Sequence, residues 1–226
     1  MDLRIAPKSL QQQTVERLRS AILSGMFKQG QRLVETDLCE KLGISRPSLR
    51  EALRSLEAER LIQIVPNRGP IVPIMTWEKA QQIYDVRLLI EGEAAALAAS
   101  NISDDALNGL RTALKDFAKA QKTDDAAARL KTTTRFYEII FHSSGNTIIE
   151  EIARGLLARI NFLRQQSMSN AGRGRHSFRE MKTIFNAIED RNPDAARDAA
   201  REHVKLAREA AKRAFTQVRD EHDGNG

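Results

Sequence analysis

The chain has 226 residues, room for two domains with separate cores, and a formal charge of +6 from 36 Lys and Arg against 30 Asp and Glu. Its one cysteine, Cys39, excludes an internal disulfide framework and suits a reducing cytoplasm. No apolar run approaches about 18 residues and no signal-peptide pattern opens the chain, so neither a helical membrane span nor export is expected.

From Leu10 to Gly25, Val15, Leu18 and Ile22 recur at helical spacing, and Phe27-Lys28-Gln29-Gly30 reads as a turn. The stretch Leu33–Leu56 then reads as two short helices. Leu33, Leu38 and Leu42 give the first an apolar stripe, and Gly43 can take the left-handed conformation that ends it. Ser45 is a natural N-cap for the second helix, with Pro47 in its first turn, where a missing N–H is harmless. Leu49, Ala52, Leu53 and Leu56 form its buried face, flanked by Arg46, Arg50 and Arg54. Leu61–Val65 and Ile71–Pro73 read as short strands around Pro66-Asn67-Arg68-Gly69-Pro70, a hairpin with a basic tip. Three helices and such a hairpin make a winged helix-turn-helix, which presents its second paired helix to the major groove of DNA. The competing reading is an ordinary helical hairpin with a solvated basic edge. The first 75 residues carry 12 Lys/Arg against 8 Asp/Glu, a modest excess that fits phosphate contact without requiring it.

From Thr76 onward the pattern is helical almost throughout. Thr76 caps a helix to about Ala99, Ser103 a second across Leu110 and Phe117, and Asp124 or Asp125 a third that ends at Ser144-Gly145-Asn146. A fourth carries Ile149, Ile152, Leu156 and Leu163, a fifth Met181, Ile184 and Ile188, and a sixth runs from Asn192-Pro193 to about Val218. Six amphipathic helices without strands imply an antiparallel bundle. The expected fold is therefore mostly α: a winged helix-turn-helix over residues 1–75, an all-α six-helix bundle over 76–219, and a disordered tail over 220–226.

The N-terminal part resembles the GntR family of bacterial transcription regulators. The matching residues are Gly30-Gln31-Arg32-Leu33, Leu42-Gly43-Ile44-Ser45-Arg46, Leu49-Arg50-Glu51-Ala52-Leu53 and Pro66-Asn67-Arg68-Gly69. Two positions depart from the family pattern: Pro47-Ser48 replaces Thr-Pro, and Arg60 replaces a glycine before the wing. The bundle resembles the FCD ligand-binding domain of the FadR-type branch, through Tyr84-Asp85-Val86-Arg87 with Glu91, Ser144-Gly145-Asn146, and Ala187-Ile188 before Asp190. The resemblance implies a homodimer that binds double-stranded DNA at a palindromic operator under the control of a small effector. Arg46 and Arg50 would then read base edges. Thr36, Ser45 and Ser48 would hold phosphates, Pro47 would belong to the same DNA-binding set, and Arg68 and Gly69 at the wing tip would touch the minor groove or backbone.

Many members of that branch hold a divalent metal between helices. Alignment on Ser144-Gly145-Asn146 puts the four implied ligand positions at Thr133, Tyr137, Met181 and His203, where only His203 is a good donor. No metal and no cofactor are therefore expected. Arg87 and Arg159 fall on apolar stripes, and without an evident pair of buried carboxylates they suggest a pocket for a carboxylate or other anion, shared with Thr133, Tyr137 and His203. For Arg87 the alternative is an ion pair with Glu91, one turn on, and for Arg159 a helix flank reaching solvent. An acyl-CoA-like effector, or a bundle serving dimerisation alone, also remains open. An enzyme is not expected, because no nucleophile–base pair or phosphate-binding Gly-rich loop occurs.

Overall fold

The structure, a computed structural model, describes residues 10–168, 170 and 172–223, with side chains up to 216. It divides into two compact units, Met1–Met75 and Thr76–Gly226.

In the first unit, α1 (Leu10–Leu23), α2 (Glu35–Leu42) and α3 (Arg46–Ala58) precede a hairpin of β1 (Gln63–Val65) and β2 (Gly69–Ile71). The apolar faces of α1 and α3 meet through Val15, Leu18, Leu49, Leu53 and Leu56, all buried. Glu35 and Asp37 in the first turn of α2 and Lys41 in its last oppose the helix dipole. Gly43, at φ 64°, lets its N–H return to the carbonyls of Cys39 and Glu40, which closes the helix. Ser45 then caps α3 by accepting from the Ser48 N–H.

The first unit differs from the sequence reading in several details, the strands being shorter or shifted: β1 starts at Gln63 instead of Leu61 and β2 ends at Ile71 instead of Pro73. Leu33 lies ahead of α2 rather than on its stripe: it is buried, and its N–H donates to the Pro70 carbonyl at 2.8 Å. The second strand begins at Gly69 instead of Ile71, because Val65 pairs with Gly69 and Ile64 with Pro70. Arg32 bridges Ile71, so the chain before α2 lies along the outer side of the wing.

The second unit contains α4 (Trp77–Asn101), α5 (Asp104–Lys122), α6 (Ala126–Ser143), α7 (Thr147–Met168), α8 (Arg173–Glu189) and α9 (Pro193–Asp223). Thr76, Ser103 and Asp125 cap α4, α5 and α6 by accepting from the N–H groups of Lys79, Ala106 and Ala128. The longest shared face is between α4 and α9, where Ala94, Ala95, Ala98, Ala196 and Ala200 allow close approach. Phe117, Phe136, Ile140 and Ile184 fill the centre. At Ser144-Gly145-Asn146, Gly145 takes φ 69° and Asn146 Oδ1 accepts from the N–H groups of Ile148 and Ile149, ending one helix and starting the next. Helix α9 continues to Asp223, past the expected boundary at 219, and residues 224–226 lie outside the described residues. No described helix is long and apolar enough to cross a membrane.

Candidate functional site

On the first unit, the side chains singled out for DNA occupy the starts of α2 and α3 and the wing. Thr36, Ser45, Arg46, Pro47 and Arg50 are exposed, and Ser48 is half-buried. The Ser45 and Ser48 hydroxyls lie 3.0 Å apart, and Thr36 donates to Asp37 at 3.3 Å. Arg50 is not free in solution: its Nε donates to Glu35 Oε2 at 3.0 Å, across the helix pair. Glu35 was not legible as a site residue, since it reads as an ordinary first-turn acid. At the wing tip the Arg68 N–H donates to the Val65 carbonyl at 3.1 Å, with Pro66 and left-handed Asn67 between them. Proline followed by a left-handed residue is what a type II turn requires. Arg68 is exposed at that turn, and Gly69 follows at φ 80°.

The interior of the bundle holds a cluster of charged and aromatic groups. Arg87, fully buried, donates to Glu91 from Nε at 2.6 Å and from Nη2 at 3.3 Å. Burial works against the Arg87 charge, but the Glu91 carboxylate outweighs it and the pKa rises. Burial likewise opposes the Glu91 charge, yet Arg87 and Arg164 hold its pKa below the usual carboxylate range. The Glu180 carboxylate accepts from Arg173 Nη1 and Nη2 at 2.7 and 2.8 Å, and its Oε2 lies 2.8 Å from His203 Nδ1. Desolvation would raise Glu180, but these bonds bring it down to about 2. His203 is buried, which pushes its pKa down, and its ring centroid lies 5.8 Å from that of Tyr137.

These contacts correct the sequence reading in two ways. Inward guanidiniums do meet carboxylates: Glu91, fully buried, takes Arg87, and Glu180, half-buried, takes Arg173. The inward arginine of α7 is Arg164, not Arg159, which is only half-buried. Arg164 stacks on the Tyr137 ring with Cζ 4.7 Å from its centroid, and Nη1 donates to Asn161 Oδ1 at 3.2 Å. Burial brings its pKa down to about 10, and among the described residues no carboxylate lies within ion-pair distance of it. Thr133 is buried and donates to the Arg129 carbonyl at 2.8 Å. The site thus gathers Arg87, Tyr137 and His203 with Arg164, Arg173, Glu91 and Glu180.

The residues at the four implied metal positions do not fit a divalent ion. The Thr133 hydroxyl is turned to its own helix, and burial raises the Tyr137 phenol well above its ordinary pKa, which keeps it protonated. Met181 offers a thioether beside the Ser177 hydroxyl, and His203 has one ring nitrogen at Glu180. A guanidinium over the Tyr137 ring adds repulsion toward any cation.

Comparison with known proteins assigns both units. Residues 10–72 match the gntR family of bacterial regulatory proteins, and residues 82–206 match the FCD domain. The chain is 30% identical to the transcriptional repressor NanR of Klebsiella aerogenes over 225 residues, 89% of this chain and 85% of that protein. It is 27% identical to the Glc operon transcriptional activator of Escherichia coli over 223 residues, 87% of this chain and 85% of that protein. The solved structure of E. coli McbR/YncC superposes with a TM-score of 0.79 at 22% identity, covering 94% of this chain and all of that one. The chain therefore belongs to the GntR family, in its FadR-type branch with an FCD domain, and is a DNA-binding transcription regulator rather than an enzyme.

Proposed function

We propose that the protein acts as a homodimer on a palindromic operator and that a small anionic metabolite, bound inside the bundle, changes its affinity for that operator. The charge of the interior carries the proposal. Arg87, Arg164 and Arg173 face the buried Glu91 and the half-buried Glu180, a surplus of one positive charge in the cluster, which an anion would neutralise. Arginine is suited to this because its planar fork matches a carboxylate and stays charged.

Exposed apolar side chains support the dimer. Val86 and Leu89 on α4, and Ile148 and Ile152 on the adjoining α7, are exposed. On DNA, Arg46 and Arg50 read base edges while Thr36, Ser45, Pro47 and Ser48 lie against the backbone, and Arg68 and Gly69 contact it from the wing. A hundredfold change in operator affinity needs the effector to favour one state by roughly 3 kcal/mol.

The test combines sedimentation, to establish the dimer, with operator titration in the presence of carboxylates, phosphates and neutral sugars. Release by an anion is the expected result. A monomer on DNA, or operator affinity indifferent to every anion, would refute the corresponding part.

A further inference from the structure

Three buried polar atoms within the charged cluster have no hydrogen-bond partner: Arg87 Nη1, Tyr137 Oη and Arg164 Nε. Their surroundings are otherwise well paired, through Arg87 with Glu91, Arg164 with Asn161, and Glu180 with Arg173 and His203. Folded proteins rarely leave such groups unpaired, and a buried donor without a partner calls for an acceptor such as water or a ligand. Arg173 Nε and Gln121 Oε1 are also unpartnered; Gln121 packs against Gly174, the residue after Arg173. The first three can all donate. The guanidinium nitrogens have no lone pair to offer, and Tyr137, at 1% exposure beside Glu91, keeps its proton.

Three unpartnered donors in one cluster call for an acceptor with several lone pairs, and a carboxylate has two oxygens that accept about four hydrogen bonds. The surplus of one positive charge sets its valence. Glu91 and Glu180 stand close enough to repel a second negative charge, so a dianion is disfavoured, whereas a neutral ligand would leave Arg164 uncompensated.

We propose that Arg164, stacked on Tyr137 where the family resemblance implies a metal ligand, replaces the divalent ion as the fixed cation of the bundle, and that with Arg87 and Tyr137 it binds the single carboxylate of a monoanionic small molecule directly. This rests on the anionic-effector reading and specifies its atoms and charge. It also explains why a guanidinium is retained in the core without an ion pair of its own.

The experiment uses the full chain after chelator treatment, with sodium acetate as the minimal probe against sodium chloride at equal ionic strength, and acetamide and succinate as controls. In the unaltered protein, acetate should raise the melting temperature saturably, succinate less so, and acetamide not at all. Arg164→Met should melt higher than the unaltered protein when no carboxylate is present, because it removes a buried uncompensated charge. It should also bind acetate about ten- to a hundredfold more weakly. Tyr137→Phe should weaken acetate by a smaller factor while leaving the fold intact. Acetate binding that survives Arg164→Met, or a preference for succinate, overturns the assignment while leaving an anionic effector standing. Failure of both carboxylates to stabilise the unaltered protein overturns both readings. A lower melting temperature in Arg164→Met shows that the guanidinium is a structural stacking partner of Tyr137 and also overturns the assignment.

Discussion

Arg87 grips both oxygens of Glu91 one helical turn away, and neither side chain reaches water. Removing one partner of such a pair is far more damaging than removing both, because the survivor keeps a buried charge. Arg87→Ala should lower unfolding free energy by about 3–5 kcal/mol. The double variant Arg87→Met with Glu91→Leu should recover most of that. Urea unfolding of the single and double variants decides it, and equal losses in both would mean that the pair acts through packing instead of charge.

Stability should fall in acid, in two stages. His203 is depressed below 6.5 and Glu180 is brought from 4.5 to about 2, so the unfolded chain binds more protons than the folded one as pH drops. Stability is full above about 6.5, erodes below it as His203 in the unfolded chain takes up a proton, and falls further between about 4.5 and 2 as Glu180 titrates. Glu180→Gln should melt lower at neutral pH and shrink the second stage, to which the lowered Glu91 also contributes. A melting temperature that stays flat from neutral pH to 4 in the unaltered protein would contradict the burial of His203.

Arg50→Ala should weaken operator binding by about 1–3 kcal/mol and relax preference at one base position. Arg68→Ala should weaken all sequences alike and reduce the salt slope by about 1. The contact between Arg50 and Glu35 adds a further expectation. Glu35→Gln removes a carboxylate that competes with DNA for Arg50, so affinity should rise. Unchanged base preference in Arg50→Ala would remove that residue from the readout.

Arg60 holds φ 60° just after α3, where a Cβ is strained. Arg60→Gly should therefore stabilise the first unit by about 1 kcal/mol, the order of the left-handed penalty for a residue with a side chain. Thermal unfolding measures it. A loss of stability would show that the Arg60 side chain makes a compensating contact.

Purified protein should hold no stoichiometric transition metal, and a chelator should change neither its melting temperature nor its operator affinity. Elemental analysis showing about one metal per chain would overturn the donor argument built on Thr133, Tyr137 and Met181.

The paired helices, the capped bundle helices and the wing were legible because each rests on local chemistry: Ser45 with Pro47, Gly43, Thr76, Ser103, and Pro66 before Asn67. The bundle interior was only half legible. On α7 the spacing of Leu156 and Leu163 pointed to Arg159, but Leu156 is itself only half-buried and the inward stripe runs through Ile160, Asn161, Arg164 and Ser167. A buried stripe made partly of polar residues has no hydrophobic period to detect. The one available signal was Arg164 falling one turn after Ile160. Glu180 was hidden because Arg173 lies two turns earlier on α8, beyond the usual one-turn pairing, and His203 on α9 meets it only after the bundle has closed.

The chain before α2 is fastened to the wing by three backbone bonds: Gly30 N–H to the Val72 carbonyl, Leu33 N–H to Pro70 and Val72 N–H to Gln31. The wing is therefore tied to the segment that leads into α2, which packs on α3, and on the proposed DNA-binding reading helix and wing form one gauge. Such a gauge measures the distance from groove floor to flanking backbone as well as the letters between them. A site with the right bases but a widened or flattened groove would be rejected by geometry, at positions where no side chain touches a base.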